Sequence, residues 1–367
     1  MVLGCLLAAV GGCGREPTPV FTPRAETAEL SPKHQQQIAA ALEKYFGSPL
    51  HPRFMLVASE QPADAQEPAL IEELDRQHLR QGRDLYTRHC AGCHGATGDG
   101  QGPAAAYLDP PPRDYRLGKF KFISTARGGK PRRADLARII HRGAKGTSMP
   151  AFRWLPEDER EAVIDYVMLL SSRGELEFRL TKITQIDLGD DDDLPPLVVG
   201  ENAQLIAQSW AAAEGQLVQP LTPQPPRDDA SVAEGARAFV RLNCYKCHGP
   251  DGRGNKLHDV GKDDWGRIAH AADLTTGMLH GGRRPVDIYR RIYSGINGTP
   301  MPAFSGPDAA QGETDLQRSE KIWRLAHFIT SIVEGRPLPQ AVIDEEIKEQ
   351  LKKIPPAETT SPPPTGG

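Results

Sequence analysis

The chain has 367 residues, 38% of them hydrophobic and only 6% aromatic, with a formal net charge of -4. That length suggests two or three domains, and its 36 glycines and 33 prolines imply much loop backbone held by something other than helix and sheet ladders. No apolar run approaches the roughly 20 residues that span a bilayer, no basic block marks a nucleic-acid footprint, and no G-x-x-x-x-G-K-[ST] loop occurs. A polytopic membrane protein is excluded, and neither nucleic-acid binding nor nucleotide hydrolysis is expected.

The first residues, V-L-G-C-L-L-A-A-V-G-G-C, are apolar with small residues before Cys13. They resemble a bacterial lipoprotein signal whose cleavage leaves Cys13 lipidated, although the start carries no basic residue and the apolar region is short. Cys5 is the competing site. Residues 1–20 are read as this leader and 21–70 as an N-terminal helix, around S-P-K-H-Q-Q-Q-I-A-A-A-L-E-K-Y-F-G, followed by a spacer. A helix is then expected over Ile71 to His89, ending at the first of two cysteine motifs.

Those motifs are C-A-G-C-H at Cys90, Cys93 and His94, and C-Y-K-C-H at Cys244, Cys247 and His248. The spacing C-x-x-C-H is the signature of c-type haem attachment. Two thiols add to the vinyl groups on one edge of the macrocycle, and the adjacent histidine faces the iron as proximal ligand. A lone C-x-x-C also suits half a zinc site or a thioredoxin-like redox pair. Zinc would require the two distant motifs to come together, and thioredoxin chemistry gives no reason for the histidine in both copies. Two covalently bound haem c groups are therefore the expected cofactors.

Asp135 to Phe152 and Asp287 to Phe304 are identical at 10 of 18 positions without a gap, at a constant offset of 152. This internal repeat places Met149 and Met301 at matched points, each followed by a proline that biases the methionine toward extended backbone. A thioether suits haem iron, and a His/Met pair raises the reduction potential. His94/Met149 and His248/Met301 are thus the expected axial pairs. Met168, in V-I-D-Y-V-M-L-L, is read as core filling, and Met278, which has no counterpart in the first half, as a fallback ligand.

Both halves resemble class I cytochrome c domains, whose pattern runs helix, C-x-x-C-H, loops, a methionine loop and a final helix. Gly82 and Tyr86 in the first half, and Gly235 and Phe239 in a helix over Ala233 to Leu242, stand where that family packs a small residue and an aromatic across the C-terminal helix. Those final helices are expected over Glu157 to Ser171, with Tyr166, and Asp315 to Val333, with Phe328; their apolar positions fit one helical face. The resemblance also implies a backbone carbonyl accepting from the proximal histidine. Pro103 is the candidate in the first half, and none is assigned in the second. Arg113 is a candidate haem-propionate partner.

The expected architecture is mainly α: two tandem class I cytochrome c domains, 71–173 and 231–335, each of short helices wrapped around a covalently attached haem. Between them, 174–230 reads as an acidic, proline-rich irregular linker with a short helix at Asn202 to Ala213. A polar helix near Val342 to Lys353 and a disordered proline-rich tail follow within 336–367. The stretch Arg113 to Lys145 holds 11 basic and two acidic residues. It is read chiefly as a solvated face, with steering of an acidic redox partner or holding of propionates as the alternatives.

Together these features predict an exported dihaem electron carrier on the periplasmic side of a bacterial membrane, lipid-anchored through Cys13. It would serve redox protein partners such as a respiratory oxidase or dehydrogenase complex. The alternative is a dihaem peroxidase, which needs an open or displaceable sixth iron position. Two matched methionines argue against it.

Overall fold

A computed structural model describes residues 20–57, 70–73, 75–254, 260–307 and 312–352. The leader with Cys5 and Cys13, part of the 21–70 spacer and the proline-rich tail lie outside the described residues. The chain is mainly helical, in two halves of matching order. No helix among the described residues is long and apolar enough to cross a membrane.

The first half opens with α1 (Ala25–Ala28) and α2 (Pro32–Phe46), the latter capped by the Ser31 side chain and started by Pro32. A two-stranded antiparallel ribbon, β1 (Met55–Val57) and β2 (Leu70–Glu73), pairs Met55 with Glu73. The strand replaces the start of the helix expected from Ile71, so α3 runs over Arg76–His89 with an Asp75 cap. Next come α4 (Ala91–His94), α5 (Arg133–Arg142) and α6 (Glu157–Asp187).

Helix α6 continues 16 residues past the expected end at Ser171. Beyond that point Leu176 and Leu180 keep the i, i+4 apolar stripe and are fully buried. Arg173–Glu177 and Glu175–Arg179 add i, i+4 ion pairs. Gly174 lies where Arg116 crosses: a Cβ there would lie 2.4 Å from that of Arg116.

Helix α7 (Pro196–Ala213) follows. The segment 174–230 is therefore not an irregular linker. Leu194, Val199, Ala203, Ile206 and Trp210 join the first core, beside Ile38, Leu42, Tyr45, Phe46 and Phe54 from the N-terminal segment. The chain then returns along the first half, where the Val218 N–H donates to the Ser124 carbonyl at 2.8 Å.

The second half contains α8 (Asp229–Arg241), α9 (Cys244–His248), α10 (Pro285–Ser294), α11 (Asp315–Val333) and α12 (Gln340–Lys352). Its core joins Phe239, Val240, Ile288, Tyr289, Trp323, Phe328 and Ile343. The same helix crossing builds each half. A Cβ on Gly82 of α3 would fall 2.0 Å from the Ala162 carbonyl oxygen of α6, and one on Gly235 of α8 2.1 Å from that of Arg324 in α11. Beside each contact two aromatic rings meet, Tyr86 with Tyr166 at 5.4 Å and Phe239 with Phe328 at 5.3 Å.

The basic stretch Arg113 to Lys145 is not simply a solvated face, because Arg113, Lys119, Lys121, Arg127 and Arg138 reach the other half. Lys119 pairs with Asp264, Lys121 with Asp263 at 3.3 Å, and Arg138 with Asp287 at 3.2 Å. Arg127 donates to the carbonyls of Met301 at 2.5 Å and Thr299 at 3.1 Å. In return Arg291 donates to the carbonyls of Lys121 at 2.7 Å and Ile123 at 2.5 Å. Asn297 accepts from the Gly128 N–H at 2.9 Å and donates to the Gly129 carbonyl at 3.2 Å.

Candidate haem centres

Each C-x-x-C-H motif sits on a single helical turn. Cys90 closes α3, its N–H donating to the Tyr86 carbonyl at 2.8 Å, and it also opens α4. Residues three and four apart share a helix face, so this turn brings Cys90, Cys93 and His94 to one side. Gly95 ends the turn at φ 77° and Gly249 ends its counterpart α9 at φ 72°. The following loops match as well: the N–H groups of Gly100 and Gly254 donate to the carbonyls of His94 and His248, both at 2.8 Å.

The proximal histidines are held alike. His94 Nδ1 lies 3.1 Å from the Arg113 carbonyl and His248 Nδ1 3.1 Å from that of Ala272. A carbonyl only accepts, so Nδ1 carries the proton and Nε2 keeps its lone pair for a metal. Burial pushes both imidazoles toward the neutral form, against the carbonyl bonds that favour the charged one. Tyr115 stacks on the His94 ring at 4.9 Å.

Pro103 is not the acceptor. It lies exposed beyond the motif's loop, and the Arg113 carbonyl takes the role instead. Sequence spacing offers no signal for this, since the acceptors stand 19 and 24 residues after their histidines. The Arg113 side chain stacks on Trp265 of the other half, 4.1 Å from guanidinium carbon to ring centroid. Burial lowers its pKa to about 10, and among the described residues no acceptor meets its N–H groups.

The four cysteines form no disulfide. Burial pushes the Cys90 and Cys244 thiols up to about 12, the reverse of the lowered thiol that redox C-x-x-C chemistry needs. Among the described residues no three His, Cys, Asp or Glu side chains gather as a metal cluster, so the two motifs do not combine into a zinc site. Paired thiols, an imidazole with a free Nε2 and a fixed ring orientation fit haem c at both places.

The methionine loops correspond bond by bond. Ala144 N–H donates to the Met149 carbonyl at 3.3 Å, and Ile296 N–H to that of Met301 at 3.4 Å. The Met149 N–H donates to Thr147 Oγ1 at 3.1 Å and the Met301 N–H to Thr299 Oγ1 at 3.3 Å. Each threonine hydroxyl in turn donates to the carbonyl three residues back, Ala144 at 2.7 Å and Ile296 at 2.9 Å. Both methionine side chains are half-buried. His89, next to Cys90, meets Trp154 at 4.9 Å, so the first attachment turn and the chain leaving the first methionine loop lie side by side. Met168 is buried in the core. Met278 lies against the first half's methionine loop, where a Cβ on Gly146 would sit 3.0 Å from its sulfur.

Residues 77–167 match the family described as cytochrome c oxidase, cbb3-type, subunit III, and residues 232–332 match the cytochrome c family. Each half is thus a cytochrome c domain. The chain as a whole is a dihaem cytochrome c with two covalently bound haem groups. Among solved structures, a chain of the reducing HAO-like protein complex of Kuenenia stuttgartiensis is 27% identical, covering 69% of this chain and 95% of its own, with a TM-score of 0.49. No curated protein matches the chain.

Proposed function

We propose that the protein relays single electrons between redox proteins through two haem c centres, each ligated by histidine and methionine: His94 with Met149, and His248 with Met301. The observation that carries this reading is the correspondence of the two methionine loops, in which the same three hydrogen bonds fix each methionine's backbone. Haem c bound at these sites supplies a one-electron ferric/ferrous couple. The Arg113 and Ala272 carbonyls fix the imidazole planes, so little reorganisation accompanies each change of charge. Pro150 and Pro302 stiffen the loops that offer sulfur. Arg113, stacked on one face with its N–H edges unpaired among the described residues, suits a haem propionate.

Filled axial positions favour outer-sphere transfer over substrate binding, which sets the relay apart from a dihaem peroxidase. Redox partners of such a carrier dock through small, short-lived interfaces. The likeness of the first half to an oxidase subunit supports a respiratory oxidase or dehydrogenase as partner. Haem attachment outside the cytoplasm supports export to the periplasmic side, with Cys13 as the proposed lipid anchor.

Spectroscopy of the oxidised holoprotein tests the ligation. The sulfur-to-iron charge-transfer band in the far red should have two contributions, with Met149→Ala and Met301→Ala each removing one and lowering one midpoint potential. A band untouched by either variant, or rapid cyanide uptake with peroxide turnover by the wild type, would overturn the relay.

A further inference from the structure

Trp265 lies in the second half, at the tip of a turn built by Asp263. That carboxylate accepts from the Trp265 N–H at 3.1 Å and the Arg267 N–H at 3.0 Å, and Gly266 completes the turn at φ 75°. The turn carries the indole into the first half. Its Nε1–H donates to the Asp114 carbonyl at 3.2 Å, and the Arg113 guanidinium lies 4.1 Å over its ring. Lys121 approaches the same ring at 5.4 Å. Residues 113–114 are the segment whose carbonyl orients His94.

The far edge of the indole meets the other centre. A Cβ on Gly298, three residues before Met301, would lie 2.6 Å from Trp265 Cζ3 and 2.8 Å from Cη2. Gly298 holds φ 68°, a conformation that favours glycine, and its carbonyl accepts from the Asp264 N–H at 3.0 Å. One side chain therefore touches the segment that aims the proximal histidine of one centre and the loop that offers the methionine of the other.

We propose that Trp265 is a positioning residue shared by both haem centres, holding the 113–114 segment and the 298–301 loop in mutual register. The assignment rests on the His/Met reading above. It follows from the geometry because neither segment has a second aromatic brace between them: the Arg113 guanidinium stacks on the indole face, with the charge of Asp263 from the same turn also favouring it there, and Gly298 has no side chain to set its own spacing. A shift of the indole moves both axial sets together, so a change at one centre registers at the other.

The test uses the full-length holoprotein, reading the electron paramagnetic resonance signals and midpoint potentials of the two ferric haems. Met149→Ala and Met301→Ala assign the signals. Trp265→Ala should shift both signals and both potentials while two haems are retained. Trp265→Phe, which loses both the Nε1 donor and the Cζ3–Cη2 edge beside Gly298, should also shift both signals; it carries the test if Trp265→Ala fails to hold both haems. Arg291→Ala loosens the same interface without touching either axial segment and should leave both signals in place.

The proposal is overturned if Trp265→Ala moves one signal or none, if Trp265→Phe leaves either centre unchanged, or if Arg291→Ala reproduces the tryptophan effect. If Met149→Ala and Met301→Ala alter nothing, the axial reading fails by itself, and the both-or-one outcome of Trp265→Ala still decides the coupling.

Discussion

His327 of α11 shows how one buried side chain makes stability depend on pH. It is fully buried, and the Gln224 amide N–H donates to its Nε2 at 3.3 Å while its Nδ1–H donates to Ser231 Oγ at 2.8 Å. Protonating Nε2 would set two donors against each other. Burial, reinforced by Arg227 and opposed by Asp228, holds the imidazole below its ordinary value of 6.5. In the unfolded chain the ring takes a proton near that value and in the folded chain it does not, so its contribution is present above pH 6.5 and is lost as pH falls below it. Thermal unfolding of the holoprotein from pH 7 to pH 5 should therefore show a steeper loss in wild type than in His327→Asn. The difference is at most about 1.4 kcal/mol per pH unit. Equal slopes would show that this ring titrates alike in both states.

At the scale of elements, the crossings of α3 on α6 and of α8 on α11 set the frame for each haem turn. Alanine is intrinsically the better helix former by about 1 kcal/mol, yet Gly82→Ala and Gly235→Ala should both destabilise. The new methyl would face a carbonyl oxygen 2.0 Å or 2.1 Å away, and backbone cannot rotate aside as a side chain can. A loss of about 3 kcal/mol, at the upper end for overpacking, should appear as a lower urea midpoint and reduced haem retention. These crossings were legible in the sequence because glycine and aromatic recur four apart in both halves. Helix α11 was legible to the residue, since Thr314 caps its start and Gly335 follows its end. The length of α6 was not: an end at Ser171 leaves out Leu176 and Leu180, whose burial depends on the segments that pack around them. Nor was the acceptor for His94, because any loop residue offers a carbonyl and only the fold chooses one.

For the whole molecule, the junction between halves is the feature that pattern reading missed. Its contacts come from Arg127, Asp263, Trp265, Arg291 and Asn297, which share no periodicity and include loop residues. A run of basic side chains looks solvated until the carbonyls and carboxylates of the other half come to meet it. Arg291 is the centre of this junction, buried enough that its pKa falls to about 10, and still a cation at neutral pH. Arg291→Ala would strand two carbonyls, each costing about 1–3 kcal/mol when left unpaired. Calorimetry should show the wild-type halves unfolding in one transition and the variant separating into two; a single unshifted transition would show that the other contacts suffice.

The way α7 and the N-terminal helix close over α6 also governs how the polypeptide can be dissected. Excising 71–173 would cut α6 in mid-length and strip away Leu176, Leu180, Val199, Ile206 and Trp210 together with Ile38, Leu42 and Phe46. The fragment would present a bare apolar flank and aggregate. A fragment bearing the first prosthetic group should instead keep α2, α6 and α7 together, from about residue 20 to Ala213. Because the chain is made from its N-terminus, Cys90 and Cys93 emerge before Leu176, Leu180, Val199, Ile206 and Trp210, so thioether formation can precede closure of that side of the core.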